Sequence, residues 1–115
     1  MPSVRELVDR GAEADPITVL TAYDTPTARI VDDAGIDMVL VGDSIGDAVL
    51  GHDSSLPVDL DTMATHTAAV ARGVGDALVV ADLPFLSYGV SEAESLRNAG
   101  RMLKEAGAGA VKLES

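Results

Sequence analysis

The sequence predicts an α/β fold built on a parallel sheet, and three observations carry that reading. Short apolar runs rich in β-branched residues recur at Ile17 to Tyr23, Met38 to Val41, Ala77 to Asp82 and Ala110 to Glu114. Apolar on both faces, such runs read as parallel strands covered by helices on both sides. Helical segments separate them and end at Gly35, a residue suited to a left-handed stop, at Gly73 and at Gly107. The order β-α-β-α-β-α-β fits about the first four strands and three helices of a (β/α)8 barrel. A whole barrel takes about 250 residues, and this chain has 115.

A short helical opening, Val4 to Arg10, precedes the first strand. Asp24 or Thr25 caps the next helix, with Pro26 in its first turn, where a missing N–H does no harm. That helix runs to about Ala34. After the second strand, Asp43 to Thr62 contains glycines and Pro57 but no clear periodicity, which predicts a long functional or mobile connection. The next helix spans roughly Thr62 to Arg72, with Asp59 to Asp61 as favourable charge at its N-terminal end. Ser91 and Glu94 form a capping box. Leu96, Ala99, Leu103 and Ala106 then predict one apolar stripe facing the sheet. The chain stops at the end of its last strand, so residues 1–115 are expected to be the N-terminal half of one barrel domain, incomplete at the C-terminus.

Charge narrows the function classes. A net charge of −11, with lysine only at Lys104 and Lys112, argues against nucleic-acid binding, which needs a basic patch. No apolar run approaches a membrane span, and no basic, apolar leader is present. A cytoplasmic location is the default expectation. The absence of cysteine excludes disulfides and thiolate metal sites. Asp-rich, Lys-poor composition predicts adaptation to salt, which screens the self-repulsion of an acidic surface.

Asp43, Asp82 and Glu114 each lie at the downstream end of an apolar run. In parallel α/β folds ligands bind beyond the carboxyl ends of the strands. Neighbouring strands are only about 4.8 Å apart, so these acids can converge. Converging carboxylates call for a cation, and hard oxygen donors favour Mg²⁺ over Zn²⁺. Lys112 and Glu114 are two apart on one strand and share a face. The plainer alternatives are that Asp43 and Asp82 cap the following loops or helices, and that Lys112 is a surface lysine or simply pairs with Glu114. Ser44 reads as a substrate contact or a turn residue. Tyr23 reads as pocket floor or packing, Thr21 and Tyr88 are no better placed, and His66 reads as a structural helix residue.

The strings LTAYDTPTARIVDDAGIDMVLVGDSIGDAVLGHDSSLPVDLDTMATHTAAVARG, VVADLPFLSY and NAGRMLKEAGAGAVKLE resemble ketopantoate hydroxymethyltransferase from Ile17 to Glu114. The resemblance implies a (β/α)8 enzyme of pantothenate biosynthesis. Such an enzyme moves a one-carbon unit from 5,10-methylenetetrahydrofolate onto 3-methyl-2-oxobutanoate through an enolate. It implies Mg²⁺ at Asp43 and Asp82, with Glu114 bound directly or through water. It also implies substrate contacts at Asp43, Ser44, Asp82 and Lys112, with Lys112 stabilising the enolate. The family's general base has no counterpart in this chain, so the fragment alone is expected to be inactive. A homo-oligomer is implied for the complete protein. His52 would line the folate entrance or be a solvated loop histidine. Asp47 puts a charge where the family pattern is apolar, and Ser115 stands where it usually continues with glycine. The alternatives are a Mg²⁺ barrel of the phosphoenolpyruvate mutase and isocitrate lyase group, or a non-catalytic half-barrel binding module.

Overall fold

The computed structural model describes residues 1–114; the departure at Ser115 lies outside the described residues. Four parallel strands, β1 (Val19–Thr21), β2 (Met38–Val41), β3 (Leu78–Asp82) and β4 (Ala110–Lys112), lie in sequential order. The helices are α1 (Val4–Ala12), α2 (Thr25–Asp33), α3 (Ile45–Ala48), α4 (Leu60–Gly73) and α5 (Glu92–Lys104).

Strand alternation sorts the apolar residues into two layers. Val39, Val41, Val79 and Ala81 turn to one face and pack on Ala28 and Val31 of α2, Met63 and Val70 of α4, and Met102 of α5. All three crossover helices thus cover the same face. The strand order is sequential throughout, whereas a doubly wound sheet reverses its order partway. On the other face Leu78 and Val80 meet Leu7 of α1, flanked by Ile17, Met38, Leu40 and Ala110. Cover on both faces was therefore only half correct. Among the described residues α1 alone covers this second face, leaving an apolar trough of about 500 Å³. A clamp holds α1 beneath the sheet. Arg10 pairs with Asp37, whose other oxygen accepts from the Thr18 N–H at 2.9 Å and its hydroxyl at 3.0 Å.

Local chemistry explains the helix starts. Asp24 is the cap of α2, accepting from the Thr27 N–H at 2.9 Å. Asp59 caps α4 by accepting from Thr62 at 2.8 Å, so that helix begins two residues before the expected Thr62. Ser91 caps α5 through the Glu94 N–H at 3.1 Å, while the second local bond comes from the Ser95 hydroxyl to the Ser91 carbonyl, not from Glu94.

Two further expectations need correction. The segment from Asp43 to Thr62 is not structureless: α3 forms within it, and Ile45, Gly46 and Val58 are buried. A Cβ on Gly46 would lie 2.7 Å from Val58 and 2.9 Å from the Ser54 carbonyl, so the loop folds tightly on itself. Gly73 is the last residue of α4, where the helix was expected to stop. A Cβ there would come 2.6 Å from the Thr25 carbonyl, so glycine lets α4 approach α2. Finally, Leu96 and Leu103 face outward, 66% and 45% exposed; the inner line of α5 runs through Ala99, Met102 and Ala106.

Candidate active site at the carboxyl ends of the strands

Asp82 closes β3 on the same face as Leu78 and Val80, and only 4% of its surface is exposed. One carboxylate oxygen accepts from the Asp43 backbone N–H at 3.0 Å. The other, wholly buried, lies 3.1 Å from the Lys112 ammonium. A Cβ on Gly42 would make ordinary contact with the Asp82 carboxylate, at 3.5 Å, and a tighter one with Ser44 Oγ, at 3.2 Å. Lys112 is the cross-strand partner of Asp82 in the β3–β4 register. Its ammonium also reaches Glu114 at 2.8 Å, although the strand ends before Glu114.

The charges are unevenly satisfied. Glu114, and then Asp82, hold the Lys112 ammonium above its usual range, while Lys112 holds Glu114 below the ordinary carboxylate value. Asp43 goes the other way. Burial pushes its carboxyl up, repulsion from Asp82 and Glu114 adds to the shift, and Lys112 offsets part of it. Asp47, the family departure, contributes further negative potential at Asp43. Asp43, near Asp82 and under more negative than positive potential, thus offers hard oxygens that suit a divalent cation. Glu114 is drawn to Lys112 instead, and among the described residues no three His, Asp or Glu side chains form a group that could hold one ion.

The sequence-predicted residues thus fall into two groups. Asp43, Asp82, Lys112 and Glu114 form one electrostatic cluster, with Ser44 at its rim. His52 sits exposed in the loop, Thr21 lies exposed on β1, and His66 Nδ1 is bonded to the Tyr23 carbonyl at 2.7 Å. Sequence reasoning undervalued two residues. The Tyr23 hydroxyl lies 2.6 Å from Ser44 Oγ, and the Tyr88 hydroxyl donates to the Glu114 carbonyl. The available signal was their scarcity and place: the chain has two tyrosines, one following β1 and one following β3.

Residues 2–115 match the family described as ketopantoate hydroxymethyltransferase. The chain belongs to that family. It is 65% identical over 115 residues to 3-methyl-2-oxobutanoate hydroxymethyltransferase of Haloarcula marismortui, covering 100% of this chain and 42% of the relative. It is 64% identical over 113 residues to the enzyme of that name from Halobacterium salinarum, covering 98% and 41%. The Koribacter versatilis relative is 56% identical, covering 94% and 37%. The chain therefore spans about two fifths of the length of these family members. Among solved structures, 2,3-dimethylmalate lyase, a PEP mutase/isocitrate lyase superfamily member, aligns with a TM-score of 0.69 at 21% identity, covering 100% of this chain and 41% of its own. Phosphonopyruvate hydrolase, solved with oxalate and Mg²⁺, aligns with a TM-score of 0.70 at 16% identity, covering 96% and 38%. At these identities the likeness is one of fold.

Proposed function

We propose that the intact protein transfers a hydroxymethyl group from 5,10-methylenetetrahydrofolate to 3-methyl-2-oxobutanoate, giving 2-dehydropantoate for pantothenate synthesis. The observation carrying this reading is the family match across residues 2–115, in a chain 65% identical to a relative named for that reaction. The intact protein is read as a cytoplasmic, homo-oligomeric (β/α)8 barrel, of which this chain supplies the first half.

Asp43 and Asp82 would hold Mg²⁺, with Glu114 beside it or joined through water. Bound there, the ion supplies Lewis acidity that polarises the 2-keto carbonyl and acidifies the neighbouring C3–H. Lys112 aims a fixed positive charge at the oxygen where charge develops as that proton leaves. Ser44 donates to the substrate carboxylate. By resemblance to the family, the base that removes the proton lies outside these 115 residues.

The test is proton exchange at C3 of 3-methyl-2-oxobutanoate in D₂O, followed by NMR with intact protein. Exchange that requires Mg²⁺ and stops with a chelator is expected. No exchange above the uncatalysed rate, with folding and metal loading verified, overturns the proposal. The alternative, turnover of isocitrate-like or phosphonate substrates, is supported by fold alone and is checked on the same preparation.

A further inference from the structure

Of the five helices among the described residues, four are capped by a side chain: Ser3, Asp24, Asp59 and Ser91 each accept an N–H of the first turn. Ser44, at the start of α3, makes no such bond. Its hydroxyl instead meets the Tyr23 hydroxyl at 2.6 Å. The Ser44 backbone is itself helical (φ −56°, ψ −8°), unlike the extended caps of the other four helices, so its hydroxyl is not committed to the α3 amides and is open to another partner.

Tyr23 is itself fixed from two directions. Its ring packs against the main core, and its carbonyl is bonded by His66 Nδ1 of α4 at 2.7 Å. The phenol is therefore the held member of the pair, and exposed Ser44 is the member being oriented. A hydroxyl has one proton to donate and two lone pairs to accept with. An anionic ligand at Ser44 can only accept, so Ser44 must donate outward and Tyr23 must donate to Ser44.

We propose that Tyr23 is a positioning residue: by donating to Ser44 Oγ it holds the seryl hydroxyl ready to donate to the carboxylate of a 2-keto acid. This rests on the function proposed above. Without the phenol, the Ser44 hydroxyl is free to rotate, and ground-state substrate binding weakens.

The test is Tyr23→Phe in the intact protein, made alone and together with Ser44→Ala, with 3-methyl-2-oxobutanoate as substrate. The ring is kept, so the melting curve is expected to stay unchanged. Loss of one neutral hydrogen bond predicts a rise in KM of about three- to tenfold with kcat retained. In the Ser44→Ala background the same change is expected to add nothing. KM unaltered by Tyr23→Phe, kcat lost in place of KM, or an equal KM rise with and without Ser44 overturns the inference and leaves the function standing. Absence of exchange by the unmodified protein overturns both.

Discussion

Lys112 stands directly across the β3–β4 pair from Asp82, and its ammonium lies 3.1 Å from the buried carboxylate oxygen. The pairing is set by strand register, so the backbone itself brings the two charges together. Lys112→Met strands a carboxylate that is 4% exposed. A stability loss of about 1–3 kcal/mol is expected from urea unfolding of the metal-free protein. Adding Asp82→Asn to that variant is expected to restore part of the loss, because the remaining group is neutral. Exchange at C3 is expected to fall by about 100-fold or more in Lys112→Met.

Two acids give stability opposite pH dependences. Arg10 and Thr18 hold Asp37 at about 2, against an ordinary value of 3.8, so its contribution is full above that ordinary value and disappears as pH falls toward 2. Asp43 is raised, so its contribution is present below the ordinary carboxylate value and disappears as pH climbs through the raised one. Asp37→Asn is therefore expected to destabilise at neutral pH and to match the parent near pH 2. Asp43→Asn is expected to stabilise the metal-free protein at neutral pH, with no gain in acid. Urea midpoints measured over this range check both signs.

Gly73 and Gly100 are both helical, yet alanine is expected to act oppositely at the two. At Gly73 a methyl group would meet the Thr25 carbonyl at 2.6 Å, and overpacking there is expected to cost about 1–3 kcal/mol. At Gly100 a Cβ meets nothing within 4 Å, so Gly100→Ala is expected to gain about 0.5–1 kcal/mol from helix propensity. Denaturant unfolding of the two variants distinguishes backbone contact from simple helical glycine.

The net charge of −11 predicts that KCl raises the melting temperature. If screening is the cause, most of the gain arrives by about 1 M, where the Debye length is about 3 Å. A midpoint independent of KCl would remove the salt-adaptation reading.

Strand positions and the acids at their ends were legible because a parallel sheet collects its carboxyl termini on one side. Gly35 and Gly107 were legible for a local reason, each being left-handed at φ +81°. The inner face of α5 was not. Leu96 and Leu103 obey helical spacing, yet the sheet selects the neighbouring line through Met102, a choice made by tertiary packing. The four residues of α3 include Gly46 and Asp47 and are too few to show a period. The Tyr23–Ser44 and Arg10–Asp37 contacts join residues 21 and 27 positions apart, and no local pattern announces such pairs.

The bond between position 43 and Asp82 draws on the main chain of the first and the side chain of the second. Any residue except proline can supply that amide, so the loop keeps its tether when the side chain at 43 is exchanged. Exchange of Asp82 for a residue without a side-chain acceptor removes the tether together with the carboxylate. The two acids are therefore unequal under mutation: 82 is a keystone, while 43 is a replaceable fitting, and new chemistry can be tried there without dismantling the frame.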